Sequence, residues 1–205
     1  MIYLMAILLA YLLGSFPTGY LLGRMMGNVD VREIGSGRTG GSNVLRSAGK
    51  KAGVATMILD VAKGALAVVL ARLIFANDPT AVALAALFAV IGHNHSIFLK
   101  FRGGAGTMTG AGALLGLSPL LLLLTSIIPI TFAYITRMTS IGSLLAGAIG
   151  VLIGCVLIWQ EYFPAQYLLF FLPYLLISWQ THIPNIQRLR AGTERRVGQK
   201  AKPQA

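Results

Sequence analysis

The stretch GTMTGAGALLGLSPLLLLLTSIIPITFAYI, residues 106–135, decides how this chain folds. A helix needs about 20 apolar residues to cross the hydrocarbon core of a membrane. Thirty residues are too many for one crossing and few for two. Pro119, preceded by Ser118, sits near the middle, where a proline breaks or sharply bends a helix. Divided there, the stretch yields an unusually short segment, 106–117, and a longer one, 119–135. Five further apolar segments lie at 2–22, 54–76, 80–98, 141–158 and 163–179. The total is seven spans if the stretch is split and six if it is not.

Charge arbitrates. With seven spans, all seventeen Lys and Arg except Lys63 and Arg72 fall on one side, and Asn77, Asp78, Gln160 and Glu161 on the other. With six, Arg137 and the basic tail land opposite the first loop, against the positive-inside tendency. The sequence therefore predicts an all-α polytopic membrane protein with seven transmembrane helices, N-terminus outside and C-terminus cytoplasmic. The first segment lacks a basic start and a small-residue cleavage site, so it reads as a retained helix, not a signal peptide. Long connections remain only at 24–53 and in the tail, so residues 1–205 read as a single domain. Glycine pairs at spacing four, such as Gly112 and Gly116, read as close helix packing.

Composition agrees. The chain is 56% apolar and 11% charged, with mean hydropathy +0.74, whereas soluble chains are about a quarter charged. A cytosolic enzyme, a secreted disulfide scaffold and a nucleic-acid module are excluded. The net charge of +11 points to cytoplasmic loops and anionic ligands. The single cysteine, Cys155, permits no internal disulfide or cysteine metal cluster.

Three polar segments, 24–53, 92–106 and 182–205, fall on the cytoplasmic side. In the first, Gly35, Gly37, Gly40 and Gly41 permit an anion nest of backbone N–H groups. Ser36, Ser42 and Asn43 add polar groups, while Arg38 and Arg46 add guanidinium forks suited to phosphate. The P-loop order is absent, and a flexible basic loop at the headgroups is the competing reading. In the second segment, Gly103, Gly104 and Gly106 open a helix whose N-terminus carries partial positive charge. His93 and His95 have no carboxylate or cysteine beside them in the sequence, so no metal and no cofactor are expected. In the third, His182 and Asn185 are three apart and share a helical face, although Pro184 can distort that turn. Arg188 and Glu194 read equally as an ion pair or as ligand contacts. Asp60 and Lys63 share a face and read as a pair that positions the second helix. Arg72 reads as snorkelling to the outer interface.

The site is rich in anion binders and poor in general bases. No histidine has an Asp five positions later, no Ser-His-Asp set is evident, and no acidic cluster suits Mg²⁺. That chemistry suits a substrate bringing its own phosphate and its own activated leaving group.

On these motifs the chain resembles the bacterial acyl-phosphate-dependent glycerol-3-phosphate acyltransferase family (PlsY). The matching residues are Gly35-Ser36-Gly37, Gly40, Asn43, Arg46 and Gly49-Lys50-Lys51 in the first segment, and Leu59-Asp60 with Lys63-Gly64. Gly92-His93, Phe98, Phe101, Gly103-Gly104 and Gly106 follow, then His182, Asn185, Arg188-Leu189, Gly192 and Glu194. The resemblance implies acyl transfer from acyl phosphate to the 1-hydroxyl of glycerol 3-phosphate, giving lysophosphatidic acid and phosphate for phospholipid biosynthesis. It implies Ser36, Arg46, His182 and Asn185 in the substrate-binding and catalytic site, facing the cytoplasm from a bacterial inner membrane. Acyl phosphate, glycerol 3-phosphate and membrane lipid are the expected partners, with no nucleic acid, and the protein is expected to act as a monomer.

The sequence departs from the family pattern at Ala105, where a lysine is usual, and at Arg38, where Asn is usual. Arg38 or His95 is expected to replace the lost charge. The alternatives are a divergent relative acting on another phosphorylated acceptor and a non-catalytic lipid or anion binder. A transporter is disfavoured because the polar segments gather on one face instead of at the bilayer midplane.

Overall fold

The computed structural model describes residues 1–199, so residues 200–205 of the expected basic tail lie outside the described residues. Helices α1 (Ile2–Ser15), α2 (Thr18–Gly27), α3 (Gly41–Ser47), α4 (Lys50–Ile74) and α5 (Pro79–Asn94) make the N-terminal part. They are followed by α6 (Thr107–Leu117), α7 (Pro119–Thr136), α8 (Thr139–Trp159) and α9 (Leu168–Arg190). No β-strand occurs among the described residues.

Proline explains where the helices depart from the predicted segments. The segment expected to run unbroken over 2–22 is two helices, because Pro17 drives Phe16 into an extended conformation (ψ 122°). At Ser118–Pro119 the break falls as predicted. Ser118 ends α6 and caps α7, its Oγ accepting the Leu121 N–H at 3.3 Å, with Pro119 in the first turn. The last segment, expected at 163–179, begins later and ends later. After a 3₁₀ turn at Ala165–Tyr167, α9 passes through Pro173 and Pro184 to Arg190 without interruption. Pro184 therefore leaves His182, Asn185 and Arg188 on one continuous rod.

Five segments are long and apolar enough to cross a membrane: Ile2–Gly27 as one kinked rod, Lys50–Ile74, Pro79–Leu99, Pro119–Thr136 and Thr139–Trp159. Helix α6 is shorter, at 11 residues, and α9 is polar over its C-terminal half. The outer surface of α7 exposes Leu120, Leu123, Ile127, Ile130 and Ile135, a side-chain set that suits lipid. The molecule is an all-α integral membrane protein.

Lipid tails are as apolar as leucine, so helices in a bilayer associate chiefly through close packing. Helix α5 touches α1, α4, α6 and α9. Its buried positions include Ala81, Ala83, Ala86 and Ala89, all fully buried. A methyl on Gly14 of α1 would strike the Ala89 backbone, and one on Gly112 of α6 would strike the Val61 carbonyl of α4. Phe170, Phe171 and Tyr174 of α9 close the core. Arg72, near the end of α4, has protein partners beside the snorkelling expected of it: its Nη2 donates to the Leu117 carbonyl at 2.7 Å and to the Tyr167 hydroxyl at 3.4 Å. It thus satisfies an orphan carbonyl at the end of the short α6.

Candidate active site

The first wall of the site is the loop between α2 and α3. Asp30 anchors its start, accepting the Arg32 N–H and Nε–H at 3.0 Å, Arg32 Nη2 at 2.7 Å and Arg24 Nη2 at 3.2 Å. Hydrogen bonding from the Arg32 guanidinium, foremost, holds the Asp30 carboxyl down at about 2. Asn43 organises the rest. Its Oδ1 accepts the Ser36 N–H at 3.0 Å, and its Nδ2 donates to the carbonyls of Val31, Ile34 and Arg38 at 2.8–3.0 Å. The loop can follow this path because Gly35 and Gly37 take left-handed φ values of 64° and 69°.

The second wall is the end of α5 and the turn into α6. The Gly104 N–H donates to the His93 carbonyl at 3.1 Å, and the Gly103 carbonyl accepts the Thr39 N–H at 3.3 Å. Side chains would not fit here. A methyl on Gly103 would meet the His93 and Asn94 carbonyls, and one on Gly104 the His93 ring. Beneath this wall Asp60 is buried, with Oδ1 accepting from Thr18 Oγ1 at 2.5 Å and Lys63 Nζ at 2.9 Å. His93 Nδ1 lies 3.5 Å from the same oxygen. Lys63 Nζ also donates to the Phe16 carbonyl at 2.9 Å, so the pair joins the α1–α2 break to α4 and α5.

The third wall is the C-terminal half of α9. His182 is buried, with Nδ1 2.8 Å from the Ser178 carbonyl. A carbonyl only accepts, so in the neutral ring Nδ1 carries the hydrogen and Nε2 is left as an acceptor. Asn185 Nδ2 donates to Glu194 Oε1 at 2.9 Å, and Arg188 Nε donates to Glu194 Oε2 at 2.8 Å.

These walls enclose a cavity of about 700 Å³, counting the space open to solvent. Of the residues expected at the site, Ser36, Arg38, Gly40, Ser42, Asn43, Arg46, Gly106, His182 and Asn185 line it. Others of the expected set do not line it. Arg188 is committed to Glu194. Gly35 and Gly37 shape the loop from behind, and Gly103 and Gly104 pack against α5. His95 is exposed, with its carbonyl accepting the Tyr11 hydroxyl at 2.9 Å, and it stands apart from the cavity. Asn43 reaches the cavity with its amide engaged in holding the loop.

The structure adds residues that sequence reasoning missed. Arg195 lines the cavity, as do Thr139, Ser140 and Ser143 from the start of α8. A hydroxyl cluster opening an apolar helix was the available signal for the latter three. Arg195 was hidden among the many cations of the basic tail, which enter only through their total charge.

The electrostatics favour an anion. The N-termini of α3, α6 and α8 all contribute lining residues, and none has a side-chain cap. Uncapped N-termini present unsatisfied N–H groups and partial positive charge. Burial, foremost, and then repulsion among neighbouring arginines push Arg38, Arg46 and Arg195 below the ordinary guanidinium value. They stay charged at neutral pH, and a bound anion relieves the repulsion. The lining acids, Asp60 and Glu194, are already paired.

The chain matches the glycerol-3-phosphate acyltransferase family over residues 4–192. It is 41% identical over 199 residues to glycerol-3-phosphate acyltransferase 2 of Moorella thermoacetica, covering 97% of this chain and 100% of the relative. It is 43% identical over 196 residues to the glycerol-3-phosphate acyltransferase of Agrobacterium fabrum, covering 96% and 92% respectively. Among solved structures, it resembles the glycerol 3-phosphate form of PlsY (YgiH), an integral membrane glycerol 3-phosphate acyltransferase. There the TM-score is 0.87 at 31% identity, over 96% of both chains. The lysophosphatidic acid form of PlsY aligns with a TM-score of 0.84 at 30% identity, over 96% of this chain and 95% of the other.

Proposed function

The chain belongs to the glycerol-3-phosphate acyltransferase family, and we propose that its acyl donor is acyl phosphate. It is an acyltransferase of phospholipid biosynthesis acting on glycerol 3-phosphate. The observation that carries the donor reading is the cavity itself. Three uncapped helix N-termini and the arginines 38, 46 and 195 meet there, more positive charge than one phosphate requires.

Acyl phosphate is already activated, so the protein's task is orientation and charge stabilisation. The 1-hydroxyl oxygen of glycerol 3-phosphate attacks the acyl carbonyl carbon. The bond between that carbon and the bridging phosphate oxygen breaks, inorganic phosphate leaves, and a phosphate oxygen takes the hydroxyl proton. Arg46 and Ser36 hold phosphate oxygens. His182, its Nδ1–H tied to Ser178, keeps Nε2 as an acceptor to orient the attacking hydroxyl. Asn185, fixed by Glu194, orients the reacting groups.

Ala105 lines the cavity where the family carries lysine. Arg38 replaces that cation. Its guanidinium donates to the Thr181 carbonyl, and Thr181 Oγ1 donates to the Ala105 carbonyl at 3.3 Å. Arg38 thereby sits one residue away from the position that lacks the charge, whereas His95 is elsewhere. The seven helical rods cross the bacterial inner membrane with the N-terminus outside and the cavity facing the cytoplasm. The protein acts as a monomer, drawing the acyl donor from the surrounding lipid.

Purified protein supplied with acyl phosphate and labelled glycerol 3-phosphate should release lysophosphatidate and phosphate in equal amounts. No product, under conditions where the Agrobacterium fabrum relative turns over, would end the donor reading. A cysteine introduced at residue 192 in a Cys155→Ala background should be labelled only from the cytoplasmic side. Labelling from outside would overturn the seven-span orientation.

A further inference from the structure

The chain beyond α9 is tied down at four points. The Thr193 N–H donates to the Arg188 carbonyl at 2.8 Å, and Glu194 is held by Asn185 and Arg188. Arg195 Nη2 donates to the Gly35 carbonyl at 3.3 Å, and the Val197 N–H donates to the Arg137 carbonyl at 2.7 Å. Residues 193–197 therefore run as a strap from α9, past the first loop, to the turn that starts α8. Glu194 and Arg195 of this strap line the cavity.

The two side chains are spent differently. Glu194 is buried and both its oxygens are occupied. Arg195 is half-buried and, among the described residues, donates only to Gly35. A guanidinium has five N–H donors, so most of this fork is uncommitted. Its acidic neighbour Glu194 already belongs to Arg188, and Arg38 and Arg46 repel it. Nothing about a single bond to a carbonyl calls for an arginine, since a glutamine amide could make it. A fork with spare donors, at a cavity built for phosphate, does call for one.

We propose that Arg195 is a substrate-recognition residue whose guanidinium binds a substrate phosphate, making the C-terminal strap part of the binding site. The proposal rests on the acyltransferase reading above. The phosphate can be that of glycerol 3-phosphate or that of the acyl donor, and separate titrations distinguish them.

The test uses the full chain, reconstituted in lipid, with Arg195→Gln and Arg195→Lys. Glutamine keeps a donor for the Gly35 carbonyl and removes the charge; lysine keeps both a donor and the charge. Arg195→Gln should raise KM for one of the two substrates about tenfold with kcat changed less than about twofold, the size expected for losing a charge-assisted hydrogen bond. Arg195→Lys should raise the same KM less than Arg195→Gln does, because a point charge replaces the fork only in part. Thermal midpoints without ligand should be equal, and inorganic phosphate should raise the midpoint of the parent more than that of Arg195→Gln. Both variants matching the parent in KM would make Arg195 a tether and overturn the proposal. So would a fall in kcat and thermal midpoint at constant KM. A parent that neither turns over nor is stabilised by glycerol 3-phosphate would instead defeat the acyltransferase reading.

Discussion

Two glycine-rich stretches, 35–40 and 103–104, look interchangeable in the sequence, yet the structure uses them in opposite ways. In the first, glycines at positive φ bend a loop that hydrogen bonds hold open, and Arg38 and Arg46 face the space left over. In the second, the missing side chains are filled by α5. The His93 ring and the His93 and Asn94 carbonyls occupy the room where methyl groups would be. The Gly104 N–H is spent on His93. Glycine content thus marks close approach of a backbone to something, and only the geometry says whether that partner is ligand or protein.

This contrast can be broken experimentally, most sharply at the charges. Arg46→Ala and Arg38→Asn should each lower kcat about 100-fold or more, as loss of a preorganised charge donor does, while leaving the thermal midpoint near that of the parent. In the Arg38→Asn background, Ala105→Lys should recover about tenfold, a charged hydrogen bond's worth. No recovery would show that Arg38 does not stand in for a cation at 105. Gly104→Ala should act the other way, overpacking the α5 contact at a cost of about 1–3 kcal/mol. Its midpoint should fall, with activity following the folded fraction. An unchanged midpoint with a raised KM would restore the second stretch to phosphate binding.

The smallest effect separates the two by pH. Asp30, held at about 2 from an ordinary 3.8, stabilises the first loop fully above pH 4 and loses that contribution as pH falls toward 2. The second stretch is held by shape, and none of residues 103–106 is itself hydrogen-bonded to a carboxylate. Hydrogen exchange between pH 4 and pH 2, corrected for intrinsic rates, should therefore loosen residues 30–43 before 103–106. Simultaneous loosening would contradict the distinction.

Much of the fold was legible because lipid imposes strong rules. Apolar length located the helices, and Pro119 located the break that separates α6 from α7. The His182–Asn185 spacing correctly placed both on one side of α9. What escaped was decided by partners distant in the chain. Pro17 splits the first helix, yet Pro173 and Pro184 do not split α9, and local sequence does not tell the two cases apart. The acceptor of Arg72, the Leu117 carbonyl, could not be read from local sequence because it exists only once α6 stops short beside α4. Arg195 looked like tail charge because the strap's anchors, Gly35 and Arg137, lie far upstream.

The three helix N-termini at the cavity carry no side-chain caps, which leaves part of the fold for the substrate to finish. An anion seated there supplies the acceptors that serine or aspartate supplies elsewhere. Substrate concentration and protein stability are then linked quantities: saturation at 100 times Kd adds about 2.7 kcal/mol to the folded state. On the function proposed above, the protein saturated with glycerol 3-phosphate would then be the more stable form.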